Sequence, residues 1–247
     1  MKGVILAGGT GSRLGSLTHV TNKHLLPVGK YPMIIHSIFK LVEAGIEDIM
    51  IITGTEHMGD MINLLGSGQS YNCDLTYKVQ SEPSGIAGAL SLARNFVGND
   101  SSVVILGDNI FEDSLYQIIH TYKLSKSFRE NGPTCVLALK EVKDPQRFGV
   151  ATLVANKIVG VEEKPSNPKS NMCITGIYVY DDHVFSMIDD LKKSDRGEYE
   201  ITDVNNAYIA CSGASWVELE GWWSDAGTPD SYHNANMLVR NGATNEM

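Results

Sequence analysis

Short apolar runs alternate with longer segments of helical periodicity over the first 140 residues. Residues 4–6, 48–53, 75–79, 103–106 and 134–139 are rich in Val, Ile and Leu and are mostly followed by Gly, Asp or Ser, which predicts strands. Between them, residues 32–44 place Ile34, Ile35, Ile38, Phe39, Leu41 and Val42 on one side of a helix opened by Pro32 and stopped by Gly45. Residues 58–65 and 86–96 predict shorter helices of the same kind. This β-α-β-α order predicts a mostly parallel sheet flanked by helices on both faces.

After Pro145 the pattern changes. Residues 150–154 and 158–162 predict a hairpin around Ala155-Asn156-Lys157. Residues 174–180 and 216–219 predict further strands, and 184–191, 201–210 and 229–238 predict helices. No break in composition separates the halves, so the second half is expected to elaborate the same sheet. The expected fold class is α/β, with a single domain over residues 1–247.

Charge and composition narrow the function. Lys and Arg number 20 against 29 acidic residues, a net charge of −9, whereas nucleic-acid binders usually carry a basic face. The longest apolar runs, 103–106 and 49–52, fall far short of the roughly 18–20 residues of a membrane span. Residues 1–7 are too short for a signal-peptide core and suit a first strand. A chain of this length buries roughly 70–75% of its unfolded surface and needs neither disulfide nor structural metal. Cys73, Cys135, Cys173 and Cys211 form no C-x-x-C pair, and all four are expected to be buried small hydrophobes. A cytoplasmic location, without nucleic-acid or membrane partners, is expected.

Gly8-Gly9-Thr10-Gly11-Ser12-Arg13-Leu14 follows the first strand. In open α/β sheets, ligands bind beyond the carboxyl ends of strands, and glycines there let backbone N–H groups approach phosphate. The dinucleotide fingerprint fails, because Leu14 replaces its third glycine and Lys30-Tyr31-Pro32 stands where an acidic residue is expected. No Gly-Lys-Ser/Thr closes a Walker loop, and neither G-x-S-x-G nor H-E-x-x-H occurs. A plain tight turn is one reading of the loop. Arg13, Lys23 and Lys30 favour a polyanion site, and the loop reads as a triphosphate cradle.

Two acids lie far apart in sequence. Asp108 follows the run 103–106, where it caps a helix from Glu112 onward or serves chemistry. Asp225 lies in Ser224-Asp225-Ala226-Gly227, as a turn residue or a partner of Asp108. Mg2+ is commonly held by one or two carboxylates together with substrate phosphates.

These segments resemble the signature of the sugar-phosphate nucleotidyltransferases. The match runs through residues 6–14, 22–28 and 32–34, then Leu106-Gly107-Asp108-Asn109, Arg147-Phe148-Gly149-Val150 and Glu162-Glu163-Lys164-Pro165. It continues through Thr175-Gly176-Ile177-Tyr178, Arg196-Gly197-Glu198, Glu200-Ile201-Thr202-Asp203 and Trp223-Ser224-Asp225. The ordered set covers nearly the whole chain. The resemblance implies a Rossmann-like fold with a nucleotide-binding part at about 1–140, a sugar-phosphate-binding part at about 141–228 and a C-terminal helix at about 229–240.

It also implies attack of glucose 1-phosphate on the α-phosphate of dTTP, with Mg2+ as cofactor and pyrophosphate leaving. The alternatives are the same chemistry with UTP and a catalytically silent nucleotide-sugar sensor. Leu6, Gly8, Gly9, Gly11, Arg13 and Lys23 are expected around the triphosphate, Gln80 and Gly85 at the base, and Asp108 and Asp225 on the metal. Gly149, Glu163 and Ile174 are expected to line the sugar pocket, with Lys164 and Arg196 on the sugar phosphate. From the residues alone, Glu163, Lys164 and Arg196 read equally as surface charges. A homo-oligomer, dimer or tetramer, is implied. Gly15-Ser16, Lys30-Tyr31-Pro32 and Gly88 depart from the family pattern. The end at Met247 sets the expectation that the long-form regulatory site is lacking.

Overall fold

The computed structural model describes residues 1–129 and 131–245; Glu130, Glu246 and Met247 of the expected 1–247 domain lie outside the described residues. The first half runs β1 (Lys2–Ala7), β2 (Pro27–Val28), β3 (Tyr31–Pro32), α1 (Met33–Glu43), β4 (Asp48–Gly54), α2 (Met58–Leu65) and β5 (Asp74–Gln80). There follow α3 (Gly85–Ser91), α4 (Arg94–Val97), β6 (Ser102–Leu106), β7 (Ile110–Phe111), α5 (Tyr116–Ser127) and β8 (Cys135–Glu141). The second half adds β9 (Gly149–Val154), β10 (Lys157–Glu163), β11 (Met172–Tyr180), α6 (His183–Asp189), α7 (Ile201–Ala210), β12 (Ala214–Glu218), β13 (Trp223–Ser224) and α8 (Pro229–Asn245).

A nine-stranded sheet unites both halves in the order β10-β9-β11-β6-β1-β4-β5, with β8 on β11 and β12 beyond β8. β1 lies between β4 and β6, parallel to both, and its Val4, Ile5 and Ala7 are fully buried. Alternate β1 side chains serve opposite faces: Val4 and Leu6 pack with α3, α6 and α7 residues, Ile5 and Ala7 with α1 and α5 residues. A single strand thus presents apolar groups to both layers, the pattern of a doubly covered parallel sheet. A smaller core joins Leu14, Val28, Met33 and Ala226 to Ala235 of α8.

The register of β11 positions the site. Its residues Ile177–Tyr180 pair antiparallel with β6, which ends at Leu106. Past that end, Gly176 is taken by the Asn109 side chain and Cys173 by Val150 of β9. The β9–β10 hairpin therefore begins beside the carboxyl end of β6. It turns at Ala155 and Asn156, both at positive φ, as two-residue hairpin turns require.

Several expectations need correction. Asp108 caps no helix from Glu112: residues 110–111 form β7, paired with β13, and α5 starts at Tyr116. The helix expected at 86–96 is two helices, α3 and α4, separated at Leu92 and Ala93. β8 does not extend the parallel set around β1; it runs antiparallel to β11 and parallel only to β12. Three cysteines are buried, but Cys211, at the end of α7, is exposed. Among the described residues, no helix is long and apolar enough to cross a membrane.

Candidate active site

The glycine loop leaves β1 where β4 and β6 also end, and its shape is set by what presses on it. A Cβ on Gly8 would lie 2.6 Å from Oε1 of Gln80, and one on Gly9 would lie 3.1 Å from the Lys23 side chain. Gly11 has φ +72°, a left-handed conformation that favours glycine. Leu6, Gly8, Gly9, Arg13 and Lys23 line a cleft of about 350 Å3 together with Gln80, Gly85 and Asp108. Gly11 shapes the loop without lining this cleft. Gly85 also has positive φ, and a Cβ there would lie 2.5 Å from the Tyr199 carbonyl oxygen. The side chain of Ser84 and the Tyr199 ring occupy the space next to Gly88. Lys30 is exposed in the turn between β2 and β3.

An adjoining cleft of about 160 Å3 opens on the β9–β10 side. Gly149, Glu163, Lys164 and Ile174 line it, and so do Asp108 and Asp225. Arg13, Ile86, Leu106 and Asp108 belong to both clefts. The two acids, 117 positions apart by their numbers, meet because β7 and β13 pair, with Trp223 opposite Phe111 and Ser224 opposite Ile110. Asp108 stands two residues before one strand of this pair and Asp225 directly after the other.

Glu163 organises the far end of the second cleft. Its Oε2 accepts a 2.7 Å hydrogen bond from the Thr202 hydroxyl, and its Oε1 lies 3.1 Å from the Lys164 ammonium and 3.4 Å from Arg196. Arg196 does not line the cleft; it reaches the cluster through Glu163 and pairs with Glu200 at 2.8 Å. Lys164 has φ +43°, an unfavourable conformation for a residue with a side chain. Its backbone N–H donates to the Phe148 carbonyl.

Each of the two central carboxylates holds a cation. Lys23 donates to Oδ2 of Asp108, and Arg147 pairs with Oδ2 of Asp225 at 3.1 Å while also binding Asp144. Burial pushes the Asp108 carboxyl up, but Lys23, His24 and hydrogen bonds outweigh it and hold the group below its ordinary value. For Asp225 burial wins: the group stays above its ordinary value despite Arg147, and the Asp108 charge pushes the same way. His24 is pushed down to about 3, mainly by burial and then by Lys23. It is a neutral ring whose Nδ1 lies 2.6 Å from Oδ1 of Asn22.

Two carboxylates that offer only oxygen donors and face one cleft with Arg13 and Lys164 suit a hard divalent cation such as Mg2+. Gly227 lies close by: a Cβ there would lie 3.2 Å from the Arg13 guanidinium and in ordinary contact, 3.5 Å, with Oδ2 of Asp108. A second acidic group, Asp181, Asp182 and His183, has ligand atoms within 4.8 Å of one another. Asp181 is already occupied by Lys126, the Thr134 N–H and the Tyr208 hydroxyl.

Sequence reasoning passed over Asn109, Arg147 and Thr202 as site residues. All three stand inside the matched motifs, but nothing in composition marks an amide as tied to the carboxylate beside it, or an arginine or a threonine as tied to one elsewhere in the chain.

The family model described as nucleotidyl transferase matches residues 2–242. The low-salt glycan biosynthesis nucleotidyltransferase Agl11 of Haloferax volcanii is 40% identical over 97% of this chain, which spans 66% of that protein. The glucose-1-phosphate thymidylyltransferase of Neisseria meningitidis is also 40% identical over 97% of this chain and 83% of its own length. A crystal structure from Bacillus anthracis, provisionally assigned as a glucose-1-phosphate thymidylyltransferase and holding a sucrose, is 54% identical. It superposes with a TM-score of 0.90 over 97% of this chain and 95% of that one. UDP-glucose pyrophosphorylase, 22% identical with a TM-score of 0.83, shares the fold. With the α/β sheet and these matches together, the chain belongs to the nucleotidyl transferase family and is a nucleotidyltransferase enzyme.

Proposed function

We propose that this enzyme transfers a thymidylyl group from dTTP to the phosphate of glucose 1-phosphate, giving dTDP-glucose and pyrophosphate with Mg2+ as cofactor. The observation that carries the reading is the shared border of the two clefts, where Asp108 and Arg13 stand between a glycine-lined pocket and a pocket carrying Asp225, Lys164 and Glu163. The names of the 38–40% identical relatives support thymidylyl transfer to this sugar phosphate.

Both reactants are anions, so the chain's main task is to let them approach. Gly8 and Gly9 leave backbone open to the triphosphate, Gly11 shapes their loop, and Arg13 and Lys23 supply positive charge beside it. Gln80 and Gly85 address the base. Glu163, with Thr202, accepts from sugar hydroxyls, while Lys164 grips the sugar phosphate and aims one oxygen at the α-phosphorus, and Arg196 supports Glu163 from outside the cleft. The nucleophile is already ionised at neutral pH, so no side chain has to remove a proton. Catalysis is then positioning plus electrostatic stabilisation. Asp108 and Asp225 would hold Mg2+, whose charge would offset the negative charge growing on the leaving pyrophosphate.

A pyrophosphate-release assay with dTTP, UTP, CTP, ATP and GTP against glucose 1-phosphate tests the reading. The expected result is dTTP as the best donor. A thymine methyl in an apolar pocket gives only about 10–200-fold discrimination, so some turnover with UTP is compatible. Faster turnover with UTP would replace thymidylyl by uridylyl transfer, and no release with any donor would reject catalysis.

A further inference from the structure

The two carboxylates of the site are joined by more than a strand pair. Asn109 is 2% exposed and its side chain touches three separate pieces of chain. Its Oδ1 accepts from the Gly176 N–H on β11 at 3.0 Å and from the Trp223 indole N–H on β13 at 2.6 Å. Its Nδ2 donates to Oδ1 of Asp108 at 3.1 Å. The fit is close: a Cβ on Gly176 would lie 2.5 Å from Nδ2 of Asn109. Trp223 is in turn braced edge-on by Phe148, with ring centroids 5.3 Å apart, and Asp225 follows two residues later.

We propose that Asn109 is a positioning residue that sets the geometry of Asp108 relative to Asp225 for a divalent cation. Lys23 holds Oδ2 of Asp108, and the Asn109 amide holds Oδ1, so the carboxylate plane is fixed from both sides. Because the same amide accepts the Trp223 indole N–H, that plane is referred to the strand leading into Asp225. Only an amide serves here: the two N–H groups require an acceptor, and the carboxylate requires a donor. An aspartate would oppose Asp108 with like charge, and an aliphatic side chain would leave both N–H groups unpaired. Groups that orient metal ligands in this way typically change metal affinity by about 10–100-fold when removed.

This inference rests on the proposed metal role of Asp108, and its test separates the two. Mn2+ binding is measured by electron paramagnetic resonance in the presence of α,β-methylene dTTP, which cannot react, for wild type, Asp108→Asn, Asn109→Ala, Trp223→Phe and the Asn109→Ala/Trp223→Phe double variant. Asn109→Ala is expected to weaken Mn2+ binding by about 10-fold or more. Trp223→Phe keeps the ring against Phe148 but removes the indole N–H, and is expected to weaken it by about 3-fold. In the double variant the Trp223 change should add nothing, because its effect passes through the missing amide.

Wild-type Mn2+ affinity in Asn109→Ala, or additive effects in the double variant, would overturn the proposal while leaving the metal reading intact, provided Asp108→Asn loses the ion. Unchanged binding in Asp108→Asn would remove the metal reading itself, and this proposal with it. Should Asn109→Ala fail to fold, Trp223→Phe decides alone, and unchanged affinity there overturns the proposal.

Discussion

The two ends of the site are built from different materials. The cleft beyond the end of β1 is shaped by missing side chains: Gly8 and Gly9 line it, Gly11 shapes their loop, and Gln80 and Lys23 fill the space beside them. The cleft beside the β9–β10 hairpin is made of charged side chains, with Glu163 joined to Lys164, Arg196 and Thr202. The first end follows from topology, since parallel strands must end somewhere and their ends leave N–H groups unpaired. The second end depends on an ion-pair network carried by segments far apart in the chain. One is damaged by adding atoms, the other by removing charge.

The largest effect is expected at the border, where both materials meet. Asp108→Asn should lower turnover by about 100-fold or more while the folded structure persists, as circular dichroism would report. Pyrophosphate release near the wild-type rate would remove Asp108 from the chemistry. Next, Lys164→Ala should raise KM for glucose 1-phosphate by about 10–100-fold, the scale of one charge-assisted hydrogen bond, with KM for dTTP within about twofold. Equal loss on both substrates in initial-rate kinetics would erase the distinction between the ends. The mirror experiment is Gly8→Ala. Its methyl would push against Gln80 and should raise KM for dTTP by about tenfold, the scale of a modest overpacking penalty, sparing glucose 1-phosphate.

The same division explains how much could be read in advance. β1, β4 and β6 announce themselves because a buried parallel strand is a continuous apolar run, β5 at the sheet edge shows alternation instead, and Gly8–Leu14 follows directly from β1. The hairpin was legible through its alternation and Asn156. α5 was not, since Ile118, Ile119 and Tyr122 are buried while Tyr116 and Leu124 on the other side are exposed, which blurs the helical period. The Asp108–Asp225 meeting was suggested by motif resemblance, but its cause, the two-residue β7–β13 pair, is too short to leave a periodic signal. Asn109 and Arg147 escaped because the contacts that tie them to the rest of the site, with Gly176 and Trp223 and with Asp225, are to residues distant in sequence.

The smallest effect distinguishes the two central carboxylates from each other. Asp108 has a folded pKa below its ordinary value, so its ionised form contributes stability above the unfolded pKa, and that contribution is lost as pH falls through the folded pKa. Asp225 has a folded pKa above its ordinary value. Its protonated form is the one favoured by folding, so it contributes stability at acid pH that is lost as pH rises through the folded pKa. At pH 7, in the absence of nucleotide and metal, Asp225→Asn should therefore raise Tm by a few degrees and Asp108→Asn should lower it, a change of 1 kcal/mol corresponding to about 2–4 °C at this size. As pH falls, the Asp225 difference should shrink first, above the ordinary carboxylate range, and the Asp108 difference only below it, where that group in turn becomes neutral like the amide. Differential scanning fluorimetry between pH 2 and 8 measures both variants. Parallel shifts of the same sign would mean that Lys23 and Arg147 serve the two acids alike, and that burial does not separate them.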